Sequence, residues 1–170
     1  MKIIFLDIDG VLNTPLSCIA SGNVMAYLCP TLTNSITKLC EETGSKVVIS
    51  STWRIYHTYL TMHDVLIPYG LSKYMVCPDS SDRMTLREYG ENSMWRTEKG
   101  LGKTRGQEIQ SWIDEHEPEN YVILDDDSDM LYSQHDHFVK IDGYVGITFK
   151  DWEKARNILD PEYKVESSYE

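Results

Sequence analysis

Apolar residues fall along this chain in two spacings. Ile3-Ile4-Phe5-Leu6, Val47-Val48-Ile49 and Tyr121-Val122-Ile123-Leu124 are short unbroken runs, the pattern of strands buried on both faces of a sheet. His137 to Ile141 is a weaker run of the same kind, and Tyr74 to Cys77 a short one. Between them apolar positions recur at helical spacing. One set is Leu32, Ile36, Leu39 and Cys40, between Pro30 and Gly44; another is Ile55, Tyr59, Met62 and Leu66, ended by Pro68 and Gly70. A third, Ile109, Trp112, Ile113 and His116, follows a capping pattern at Thr104-Arg105-Gly106-Gln107, and Thr148-x-x-Asp151 opens a last helix with Trp152, Ala155 and Leu159 inward. Residues 8–29 read as a loop or small hairpin, and 78–104 show no clean period. Strands alternate with helices long enough to be crossovers, which predicts an α/β fold with a mostly parallel central sheet.

The bulk composition adds limits. A chain of 170 residues with 41% hydrophobic and 25% charged residues suits one domain with a sizeable core. The expected division is a single domain over 1–160, a flap or insert at 78–104, and an acidic tail at 161–170. The net charge of −11 opposes non-specific binding to nucleic acid or anionic membrane. Cys18, Cys29, Cys40 and Cys77 form no C-x-x-C pair, so reduced thiols are expected. The apolar run before Asp7 is too short for a signal peptide or a membrane span. A cytoplasmic protein with no membrane partner is the expectation.

Three predicted strands end in Asp7, Ser50 and Asp125. In parallel sheets ligands bind beyond the carboxyl ends of strands, so these residues should meet in one cleft. Asp7 is the candidate nucleophile and Asp9 the candidate general acid and base. Asp7, Asp9, Asp125 and Asp126 form an oxygen-rich set for Mg²⁺, since carboxylates this crowded need a cation to offset their repulsion. Either Ser50 or Ser51 would hydrogen-bond a phosphoryl oxygen. Either Lys103 or Arg105 would neutralise developing charge, and the first turn of a helix at Arg105 also favours an anion. Arg54 either reaches the substrate or makes a salt bridge at a helix start. Asp127 and Asp129 are read as helix-start residues or supports of the metal ligands. His135 and His137, on one face of a presumed strand, are read as structural. Asp125-x-Asp127-x-Asp129 falls short of a calcium loop, with Met130 where that loop needs Gly.

Asp7-Ile8-Asp9-Gly10-Val11-Leu12, Ile49-Ser50, the Lys103/Arg105 stretch and Leu124-Asp125-Asp126 resemble, in order and placement, the four motifs of the haloacid dehalogenase (HAD) superfamily of phosphohydrolases. Asp7 to Asn13, Ser51-Thr52-Trp53-Arg54, Arg105-Gly106-x-Glu108-Ile109 and Tyr121 to Asp129 further resemble the HAD branch of Swiss army knife RNA-repair proteins. The resemblance implies a Rossmann-like three-layer fold and a Mg²⁺-dependent phosphatase working through an aspartyl-phosphate on Asp7, and it favours Arg105 over Lys103. The gap between Asp9 and Ser50 leaves no room for a full helical cap, so an open cleft is expected. That suits a bulky substrate such as the 3′-phosphate end of RNA or DNA; a free nucleotide or small metabolite is the alternative. Residues 82–105 carry a local excess of +2, through Arg83, Arg87, Arg96, Lys99, Lys103 and Arg105 against four acids. Tyr89 and Trp95 among them either stack on a base or pack inward. A receiver-like phospho-aspartate signalling module is the competing class, although it carries its acidic pair early and its phosphoacceptor later.

Overall fold

The computed structural model describes residues 1–22, 28–77 and 94–162. Arg83, Arg87, Tyr89 and most of the tail lie outside the described residues. Four strands form one sheet: β1 (Lys2–Leu6), β2 (Lys46–Ile49), β3 (Asn120–Asp125) and β4 (Phe138–Lys140). Every pairing is parallel, in the order β2-β1-β3-β4. The helices are α1 (Pro15–Ser21), α2 (Pro30–Thr43), α3 (Trp53–Tyr56), α4 (Tyr59–Leu66), α5 (Arg105–His116) and α6 (Phe149–Leu159).

Alternate residues of β1 feed two cores. Ile4 and Leu6 join the apolar faces of α2, α4 and α6, while Ile3 and Phe5 meet Ile109 and Trp112 of α5. Phe5 meets the Trp112 ring edge-on at 5.2 Å. Helices therefore cover both faces of a parallel sheet, the three-layer Rossmann-like arrangement that the strand–helix alternation predicts. From β1 the chain steps outward to β2 and then crosses back past β1 to β3. The switch point of the topology, where such folds open a crevice, lies between β1 and β3.

Several local expectations change. Residues 8–29 contain α1, capped by Thr14 and Ser17 in a reciprocal pair with Pro15 in its first turn. Only Cys18 of that helix is buried, so no apolar stripe announces it. The helical pattern from Ile55 to Leu66 is two helices, because Thr58 starts a new capping box with Thr61. The strand expected over Tyr74 to Cys77 reduces to one parallel bridge from Met75 to Val47. His135 and His137 lie in a 3₁₀ turn, where His137 Nδ1 pairs with the Tyr121 carbonyl and its ring stacks on Tyr121. His135 instead lies exposed beside Asp136, so the two histidines do not share a strand face. Trp95 is fully buried, edge-on to Tyr59, so of the two readings for that ring the structure selects inward packing. No helix among the described residues is long and apolar enough to cross a membrane.

Candidate active site

The strand register places the chemistry. Leu6 pairs with both Ile49 and Leu124, so the next residues, Asp7, Ser50 and Asp125, leave the sheet at one level. Asp7 N–H donates to the Leu124 carbonyl, and Ser50 N–H to that of Leu6, both at 3.0 Å. Three carboxylates converge there: oxygens of Asp7, Asp125 and Asp126 lie within 4.8 Å of one another.

Burial and mutual repulsion raise all three. Asp7 is pushed up to about 7, by desolvation first and then by the Asp125 charge, against the pull of Arg105 and of a hydrogen bond from the Ser51 hydroxyl. Asp125 is pushed up to about 6, again chiefly by burial, although it accepts Asp127 N–H at 2.8 Å. Asp126 is raised by burial and eased by Lys140, whose ammonium also donates to the Asp126 carbonyl. A side-chain Cβ at Gly10 or Gly143 would fall inside the space of Asp126 Oδ2, so two glycines form a cradle around that oxygen. Gly10 also has a φ of +77°, which glycine adopts at little cost.

This donor set fits Mg²⁺. The ligands are all carboxylate oxygens, which hard cations prefer, and at 4.8 Å or less from one another they are close enough to face a single cation. Asp9 is not in the group. Its Oδ1 accepts Asn13 Nδ2 at 2.8 Å and its Oδ2 accepts Trp53 Nε1 at 3.0 Å. The structure therefore brings three of the four expected metal carboxylates together and holds the fourth aside, on its own two donors.

The remaining candidates separate clearly. Ser51 is the serine whose hydroxyl reaches Asp7; Ser50 Oγ is buried with no hydrogen-bond partner among the described residues. Arg105 Nε sits 3.6 Å from Asp125 Oδ2, whereas Lys103 Nζ donates to Ser111 Oγ at 3.0 Å. The first turn of α5 does hold an anion, but it is the protein's own: Asp129 Oδ2 accepts Arg105 N–H at 2.8 Å. Asp129 thus serves a helix start, that of a helix lying earlier in the chain.

Arg54 is buried and heavily committed. It donates from Nη2 to Glu108 Oε2 at 2.6 Å, from Nη1 to the Ser50 and Ser51 carbonyls, and from Nε to the Thr97 carbonyl at 2.8 Å. Burial lowers it to about 10, aided by Arg105 and opposed by Glu108, so it keeps its proton. Glu108 also accepts Gly100 N–H at 3.0 Å and sits 3.8 Å from Arg105 Nη1. Beside this network a cavity of about 170 Å³ is lined by Thr52, Lys99, Lys103, Arg105 and their neighbours. Lys140, Asn13, Trp53 and Glu108 carry contacts to the site that spacing alone did not single out.

A parallel sheet with carboxylates at its switch point, a cation beside them and a committed second aspartate defines a hydrolase of the HAD phosphatase class. The family model of the HAD domain in Swiss Army Knife RNA repair proteins matches residues 3–152. The chain belongs to that family, and the match covers every site residue from Asp7 to Lys140. No curated protein and no solved structure matches the chain.

Proposed function

We propose that this HAD-type phosphatase is a Mg²⁺-dependent phosphomonoesterase that works through an aspartyl-phosphate on Asp7 and acts on the 3′-phosphate end of a nucleic acid. The carrying observation is the convergence of buried Asp7 and Asp125 with half-buried Asp126 at the switch point. A bound Mg²⁺ there would be held by these three carboxylates and would neutralise both them and the phosphoryl oxygens.

This chain's residues then have distinct tasks. An ionised Asp7 oxygen attacks phosphorus, and the ester P–O bond breaks. Asp9, protonated at that stage, gives its proton to the departing oxygen. In the second half Asp9 takes a proton from water as the water oxygen attacks phosphorus. The P–O bond to Asp7 then breaks, releasing inorganic phosphate. Ser51 and Arg105 lie next to Asp7 and Asp125 and bind the phosphoryl oxygens. Ser50 and Arg54 hold the end of β2 in place for them. The cavity bearing Lys99 and Lys103 beside Arg105 supports a substrate with further negative charge, as a nucleic-acid end has.

The test compares a 3′-phosphorylated oligonucleotide with 3′-mononucleotides, with Mg²⁺ and with EDTA. Faster turnover of the oligonucleotide, lost in EDTA and in Asp7→Asn, is expected. Retained turnover in Asp7→Asn would remove Asp7 from the nucleophile's role. Preference for the mononucleotide would make the enzyme a nucleotidase of the same mechanism.

A further inference from the structure

We propose that Trp53 is a positioning residue for Asp9: its indole N–H fixes the carboxylate that carries the proton. The proposal rests on the reading of Asp9 as the general acid.

Asp9 leaves β1 in a tight turn in which Gly10 N–H donates to the Asn13 carbonyl at 2.8 Å. Its carboxylate is held at both ends, Oδ1 by Asn13 from the same turn and Oδ2 by Trp53 from the start of α3, 44 positions away. An indole offers one donor in one direction, so the second bond sets the plane of the carboxylate as well as its place. The indole is itself braced. It packs against the larger core, and its ring stacks on His57 with centroids 5.7 Å apart and planes 18° apart.

The same short segment also touches the nucleophile. Ser51 bonds Asp7, and Trp53 N–H donates to Ser51 Oγ at 3.4 Å. The exit of β2 therefore reaches both catalytic carboxylates, Asp7 through Ser51 and Asp9 through Trp53. A proton donor must meet the leaving oxygen from a defined direction, and this arrangement provides it across the sheet. Were Trp53 only core filling, phenylalanine would serve as well.

Trp53→Phe keeps a ring for stacking and deletes the N–H. The readout is kcat/KM, which reports formation of the aspartyl-phosphate, on two Mg²⁺-supported substrates. An alkyl ester, the 3′-phosphorylated oligonucleotide, needs its leaving oxygen protonated; p-nitrophenyl phosphate does not. Trp53→Phe should lose about tenfold on the alkyl ester and less than about twofold on the aryl ester. In an Asp9→Ala background the same substitution should cost nothing more. Equal losses on both esters, or an undiminished loss in the Asp9→Ala background, would overturn the proposal while leaving Asp9 as the acid. If Asp9→Ala itself fails to discriminate between the esters, the reading of Asp9 falls and this proposal with it. Should Trp53→Phe not fold, the unaltered Trp53 can be watched in Asp9→Ala by ¹⁵N NMR. One indole N–H signal should move and exchange faster with solvent; four unmoved signals would refute the contact.

Discussion

Replacing Asp125 by Asn should stabilise the metal-free protein while destroying its response to Mg²⁺. Asp125 is 2% exposed, and its carboxyl is raised from 3.8 to about 6, by burial first, with Arg105 and the Asp127 N–H already pulling the other way. Keeping that group ionised at pH 7.5 costs the fold about 3 kcal/mol. Asparagine occupies the same volume and keeps the oxygen that accepts Asp127 N–H. Its amide takes the place of Oδ2, which has no hydrogen-bond partner among the described residues. Burying a neutral amide returns part of the gain, leaving about 2 kcal/mol, or about 4–8 °C in Tm for a domain of this size.

The sign follows from the direction of the shift. A carboxyl raised in the folded state contributes its stability below the unfolded value of 3.8 and loses it as pH rises through about 6. The variant should therefore melt level with or slightly below the wild type near pH 4 and rise above it up to about pH 7. Thermal denaturation in EDTA between pH 4 and 8 reads this out. Mg²⁺ should then raise the wild type, because a ligand that binds only the folded state stabilises it, and should leave the variant nearly unmoved. A variant that melts below the wild type in EDTA at pH 7.5, or a gap that does not change with pH, would refute the argument that the uncompensated charge is costly.

Arg105→Ala should lower kcat/KM by on the order of a hundredfold, and Lys103→Ala by no more than about threefold, in steady-state assays on one substrate. Comparable losses would put the phosphate nearer Lys103. Gly143→Ala drives a methyl into the Asp126 carboxylate and should weaken Mg²⁺ binding by about tenfold or more in titration calorimetry, with the secondary structure unchanged by circular dichroism. Glu108→Gln leaves the Arg54 guanidinium buried without its counter-charge and should cost about 3 kcal/mol in urea denaturation; a loss below about 1 kcal/mol would show that the pair is not structural.

The sheet and the acidic cluster were legible in the sequence because one physical signal marked both. Apolar runs announce buried strands, and carboxylates at their ends announce a shared edge. The parallel register then brought Asp7, Ser50 and Asp125 to one level. What was not legible depended on pairings between distant residues or on elements with little buried surface. Helix α1 buries one side chain, so it left caps but no periodicity. The spacing of Asp9 from Asp7 suits both a metal ligand and an acid–base group, and nothing local says that Trp53 will hold it. Arg54 is ambiguous in the sequence because its partner, Glu108, stands 54 positions on. The anion expected at the head of α5 is there, but Asp129 supplies it from beyond β3.

The outer edge of β2 has a consequence for how this enzyme can change. The chain departs at Val76, whose N–H donates to the Val47 carbonyl, and is back at Trp95 to Thr97, which exchange hydrogen bonds with Ile49. Departure and return are two strand positions apart, about 7 Å, and Arg54 fastens the returning end at Thr97. Both anchors bond the one strand that runs into Ser50. A change in chain length between those two anchors should therefore leave β2, and the carboxylates at the sheet end beside it, in register.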